Sequence, residues 1–173
     1  MQPLSRRWVQ PIGLYLVGLL AAALAISQVA FPPTEVVAYV VGVARNLVAG
    51  HGFVSDALWS YAAGPMVVPR PAFDLWQPLP GVLAAAGMLV VGPSLTAAQA
   101  ASGLLGATVA PMTWAVAADA ARRNGLEGRR ATTVALGAGL IAAVFGPFLV
   151  AIAGPDSTAP FTVFAVAACL ATR

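Results

Sequence analysis

Six carboxylates, nine arginines, one histidine and one cysteine carry nearly all the reactive chemistry of this 173-residue chain, which has no lysine. Asp119 and Glu127 flank an arginine-rich turn, where acids are paired or solvated, and Asp56 and Asp74 lie in a long loop, where solvation accounts for them. Glu35 and Asp156 differ. Each follows proline, in Pro32-Pro33-Thr34 and Gly154-Pro155, and each opens an apolar run. A carboxylate at such a boundary is costly unless it is wet or hydrogen-bonded, which makes it a candidate for taking a proton from a substrate hydroxyl. An acid in the first helical turn also satisfies free N–H groups and offsets the macrodipole, so residue type alone leaves both roles open. His51 and the scattered acids form no recognisable ligand set for a metal. Cys169, inside an apolar run, acts as a small apolar side chain and has no partner for an intrachain disulfide. No cofactor is called for.

These residues must be held by elements, and composition names the solvent around those elements. Sixty per cent of the residues are hydrophobic and 9% charged, with a strongly positive mean hydropathy; a soluble domain does not have that balance, and lipid is the expected surround. The basic excess consists of arginine pairs beside apolar runs, which argues against nucleic acid as a partner. Arg6 and Arg7 precede an uncharged run from Pro11 to Phe31. That run matches a bilayer-spanning helix of roughly 20 residues and exceeds the roughly 7 to 15 of a cleaved signal's apolar region, so it reads as an uncleaved anchor.

Further apolar runs cover about 78–92, 95–120, 131–153 and 157–172. The first is short and begins with two prolines, which suits an interfacial or re-entrant helix as well as a crossing one. The arginines arbitrate. If 78–92 does not cross, Arg6, Arg7, Arg122, Arg123, Arg129 and Arg130 share the cytoplasmic side, as the positive-inside rule prefers. The expected fold is therefore all-α, a polytopic transmembrane helical protein of the cell (inner) membrane with a cytoplasmic N-terminus. Its spans are at about 11–31, 95–120, 131–153 and 157–172, and a long first outer loop, 32–94, carries interfacial helices at about 35–49 and 78–92. The abrupt stop after the last run is expected of a fragment of a longer polytopic protein.

Within the outer loop, Thr34 as N-cap, Glu35 in the first turn and Gly50 past the end form a helix signature. Glu35, Tyr39, Gly42 and Asn46 recur at spacings of four, three and four, with Arg45 beside them, and predict a narrow polar stripe on an apolar helix. His51, Phe53, Trp59, Tyr61, Phe73 and Trp76 gather aromatics in the same loop; a membrane-interface belt accounts for most of them, and stacking on sugars or head groups is the alternative. Glu35 and Asp156 fall on the same side of the membrane in this topology and are expected to converge on one site.

The order of these features resembles a known family. An anchor helix, an acid opening the first outer helix, the stretch Ala44-Arg45-Asn46-Leu47-Val48-Ala49-Gly50-His51-Gly52-Phe53, and then Pro69-Arg70-Pro71-Ala72-Phe73-Asp74-Leu75-Trp76-Gln77-Pro78-Leu79-Pro80 look like the start of a GT-C glycosyltransferase. Ala97-Ala98-Gln99, Leu104-Leu105-Gly106-Ala107 and Pro155-Asp156-Ser157 continue the likeness, which is to bacterial proteins similar to dolichyl-phosphate-mannose protein mannosyltransferases and the lipid A aminoarabinose transferase. The resemblance implies a polyprenyl-phosphate-linked sugar donor, entering from the bilayer, and a glycan, lipid or protein acceptor. It implies Glu35 as base, where the family more usually has aspartate, with Asp156 positioning donor or acceptor. Arg45 or Arg70 would bind the phosphate, since arginine is permanently charged and donates two parallel hydrogen bonds. Tyr39, Asn46, His51, Asp74 and Trp76 would line the substrate. Two other classes compete: a transporter subunit, which would place charges or broken helices at the midplane, and a non-catalytic membrane scaffold, whose acids would be caps and whose aromatics a belt.

Overall fold

The computed structural model describes residues 4–58, 67–72 and 76–172, and it is mostly helical. Helix α1 spans Leu4–Ile26. It starts before the expected anchor and stops five residues short of Phe31, where Ser27 turns its hydroxyl back onto Leu24 O at 2.7 Å and Pro32-Pro33 force the chain out of helical geometry. Helix α2, Glu35–Val48, begins where Thr34 Oγ1 accepts from Val37 N at 3.3 Å. It ends in a left-handed Gly50 at φ 83°, with His51 N donating to Asn46 O and Gly50 N to Leu47 O, the double closure that glycine after a helix permits.

A two-residue hairpin follows, β1 Val54–Ser55 paired antiparallel with β2 Arg70–Pro71. It is a small departure from the all-α expectation. Helix α3, Pro78–Val91, leads through a three-residue link into α4, Leu95–Gly106, and α5, Val109–Arg123. Helices α4 and α5 together form one apolar run, Leu95–Arg123; the interruption falls where Pro111 lacks the N–H that Ala107 O would receive. Helices α6, Gly128–Ala143, and α7, Gly146–Ala153, are bent by 43° at a similar break, where Pro147 cannot donate to Ala143 O. Helix α8 covers Thr158–Ala171.

Two helical runs, Trp8–Ile26 and Leu95–Arg123, are long and apolar enough to cross a membrane, and the bent pair α6–α7 makes a third if it counts as one span. With 14 residues each, α3 and α8 measure about 21 Å at a rise of about 1.5 Å per residue. That is shorter than a hydrocarbon layer of roughly 30 Å, so the crossing expected at 157–172 is less than a full span.

Close contacts between small residues set the packing. On α6, a Cβ added at Gly139 would clash with Leu14 of α1 and press on Ala110 O and Trp114 of α5. Ala22 and Ile26 approach Gly103, while Ile152 of α7 seats on Gly106. These pairings make α1 antiparallel to α4–α5 and parallel to α6–α7. A second core joins α2 to α3 and α4 through Val37, Val40, Ala44, Ala84, Met88 and Ala98. The ends of the bundle therefore differ. One holds Gln10 and the turn bearing Arg122, Arg123, Arg129 and Arg130, with Gln10, Arg122 and Glu127 around one cavity. The other gathers the end of α1, the starts of α2 and α4, and the α7–α8 corner.

Candidate functional site

The start of α2 meets the end of α7 at that second end. A Cβ built on Gly154 would lie 3.1 Å from Pro33 Cγ and 3.3 Å from Val37 Cγ2, so the residues flanking Glu35 touch the corner two residues before Asp156. Glu35 and Asp156 thus lie at the same end of the bundle, each two residues from a side of the contact that Gly154 makes with Pro33 and Val37. Their surroundings are unequal. Glu35 is exposed, and the first-turn N–H of Val37 is taken by Thr34. Asp156 is half-buried, and its Oδ1 accepts from Thr158 N at 2.7 Å, an Asx turn that caps the entry to α8 one residue ahead of its N-cap Ser157.

Beneath the corner lies Gln99 of α4, only 1% exposed. Its Nε2 donates to Val29 O at 3.2 Å and to Ala153 O at 2.8 Å, tying the exit of α1 to the end of α7. A groove of ≈ 460 Å³ opens alongside, between the start of α3 and that of α8; Gln77, Leu79, Phe161 and Phe164 line it, and Ser157 and Thr158 bring it to within one residue of Asp156. The lining is mostly apolar, with an amide and two hydroxyls to fix orientation, the usual make-up of a site for an amphipathic ligand.

Other candidates collect at the far end of α2. Asn46 Nδ2 donates to Val54 O at 3.2 Å and Asp56 Oδ2 at 2.8 Å, and His51 Nδ1 faces Asn46 Oδ1 at 3.4 Å. With the Asn46 NH₂ between two acceptors, its oxygen faces His51, which must donate through Nδ1. Arg70 is half-buried in β2 opposite Ser55. Asp56, read from the sequence as merely solvated, is thus part of the same cluster as Asn46 and His51. Trp76 is half-buried and packs on the α2–α3 core. Asp74, with Trp59, Tyr61 and Phe73, lies outside the described residues.

The stripe on α2 has a different phase from the expected one. Tyr39 is 6% exposed and belongs to the core, while Glu35, Ala38 and Arg45 are exposed and Gly42 partly so. The physical reason is that Tyr39 is buried in the core that α2 shares with α3 and α4, and the strip left open follows spacings of three, four and three. Glu35 and Arg45 stand on this strip about 15 Å apart along the axis. Between them are only Ala38 and Gly42, and a Cβ on Gly42 would meet nothing within 4 Å. The predicted single site accordingly resolves into an acid corner and a basic, amide-rich end joined by an exposed strip of small residues. Among the described residues no group of three or more His, Cys, Asp or Glu side chains could hold a metal ion. None of the known protein families, characterised proteins or solved structures compared with the chain matches it.

Proposed function

We propose that the chain is a membrane-embedded glycosyltransferase unit of GT-C type, moving a sugar from a polyprenyl-phosphate donor to an acceptor hydroxyl at the outer face of the cell membrane. In this reading the protein is multi-pass, its arginine-bearing turn is cytoplasmic, and the acid corner faces outward. The exposed apolar side chains of α1, among them Trp8, Ile12, Leu16, Leu20 and Leu24, then face lipid, where burial from water needs no protein partner.

The observation that carries the reading is the contact of Gly154, two residues before Asp156, with Pro33 and Val37 on either side of Glu35, at the end of the bundle opposite the arginine turn. A sugar on polyprenyl phosphate has an activated C1. Glu35 takes the acceptor proton as the hydroxyl oxygen attacks C1, and the C1–O bond breaks with its electron pair passing to the departing polyprenyl phosphate. Arg45, about three turns along α2, donates to the phosphate oxygens only when its long side chain extends back toward Glu35. Asp156 orients the sugar or the acceptor at the mouth of the groove.

Glu35→Gln tests this directly. Transfer from a lipid-linked sugar in proteoliposomes should fall by about 10²- to 10⁴-fold, the range for losing a general base, while the protein still inserts; unchanged turnover removes Glu35 from the mechanism. A non-catalytic scaffold is the second reading, and one observation favours it. The hydrogen bond from Thr158 N accounts for Asp156 as a cap without any substrate.

A further inference from the structure

We infer that Gln99 is the positioning residue of the acid corner: its buried amide, holding Val29 O and Ala153 O at once, fixes where Glu35 stands relative to Asp156. The inference rests on the two-acid reading above and adds to it the group that sets the geometry.

Gln99 lies in an otherwise apolar stretch of α4 beside Ala97 and Ala98, and it is 1% exposed. A primary amide in such surroundings is destabilising unless it is hydrogen-bonded. Its two N–H groups reach carbonyls that are 70 and 54 residues distant in the chain. Ala153 is the last residue of α7, so its carbonyl has no donor within its own helix, and Val29 lies beyond the end of α1. From these two anchor points the chain reaches the acids by short, stiff paths. Pro32 and Pro33 intervene before Glu35, and Pro155 immediately precedes Asp156, each with φ fixed by its ring. A shift at Gln99 is therefore passed on to both carboxylates with little slack. Gln99 itself is buried beneath the corner and touches no reacting atom in the proposed chemistry.

The test replaces Gln99 by methionine, similar in length and apolar, in the full chain in lipid vesicles. Spin labels at Ala30→Cys and Ser157→Cys, with Cys169→Ser, report the spacing of the two segments without any substrate. All three positions are exposed. Gln99→Met should broaden or shift that distance distribution, and transfer should fall by about 10- to 100-fold, as for an ångström-scale misplacement. The loss should appear in kcat with donor KM little changed, and should vanish when Gln99→Met is added to Glu35→Gln. If Gln99→Met fails to insert, Gln99→Glu, which keeps one O–H donor when neutral, is measured in the same way and should give an intermediate distribution. An unchanged distribution overturns the inference whatever happens to transfer. A changed distribution with unchanged transfer overturns instead the two-acid reading on which it rests.

Discussion

The two leading acids differ at the level of single atoms, and the difference decides how each is tested. At the start of α2 the capping bond is made by Thr34, so Glu35 is left with only a macrodipole contribution as its structural role. At the start of α8 it is Asp156 itself whose Oδ1 receives the Thr158 N–H. Asparagine retains that oxygen and loses the charge; alanine loses both. Asp156→Ala should lower stability by about 1 kcal/mol, the usual net worth of one such hydrogen bond, whereas Asp156→Asn should melt with the native protein. If the proposed transferase uses the carboxylate to hold sugar or acceptor, Asp156→Asn will nevertheless transfer poorly. Melting curves and transfer rates measured on both variants separate the roles, and a fully active Asp156→Asn protein leaves Asp156 as a cap alone.

At the scale of elements, α2 and α3 form a layer laid on α4, and Gly87 sets the distance between α3 and α4. A Cβ there would collide with the Ala97 carbonyl and crowd the Ala101 methyl, and backbone cannot yield as a flexible side chain can. Gly87→Leu should therefore displace α3 and loosen the core of Val40, Ala84 and Met88, costing about 1 to 3 kcal/mol as overpacking does. Limited proteolysis in the 49–77 connection should accelerate, and resistance equal to the native protein would show that α3 is held by other contacts. What was legible in the sequence follows the same division between local and distant causes. Thr34 and Gly50 marked the bounds of α2 because each acts on backbone groups within a few residues. Pro147 breaks the run expected as one span at 131–153 by the bond it cannot make, a cause just as local. The phase of the exposed strip was misread because Tyr39 is polar enough to look solvent-facing, and only its burial against other helices shows otherwise. A two-residue hairpin has no period to read. Asp56 joins Asn46 only through the path of the loop, and Gln99 stands alone in an apolar run until the two carbonyls it bridges are known.

Across the whole molecule, the arginines among the described residues gather most densely at one end of the bundle. Arg122, Arg123, Arg129 and Arg130 occupy one end, where Asp119 pairs with Arg123 at 2.9 Å and more loosely with Arg122 at 3.8 Å. The starts of α2 and α8, with Glu35 and Asp156, occupy the other. Exposed pairs of this kind add little to stability; in the proposed topology the arginine-rich connection stays on the cytoplasmic side, as the positive-inside rule prefers. The proposed topology then makes a prediction that requires no enzymatic assay. With Cys169→Ser as background, single cysteines placed at Ala30, Ser157 and Asn124, all exposed, are treated with a membrane-impermeant thiol reagent in sealed vesicles of known orientation. Positions 30 and 157 should react from the same, outer, face, because Gln99 ties their segments to one end of the bundle. Position 124 should react only after the cytoplasmic face is opened, because the 29-residue run Leu95–Arg123, about 43 Å long at a rise of about 1.5 Å per residue, separates it from that end by more than the thickness of the hydrocarbon layer. Reaction at 30 and 157 from opposite faces would divide the acid corner across the membrane and end the glycosyltransferase reading. Reaction at all three from one face would mean that Leu95–Arg123 lies along the surface, and the bundle would then have to be read as a peripheral assembly with its apolar flank against lipid.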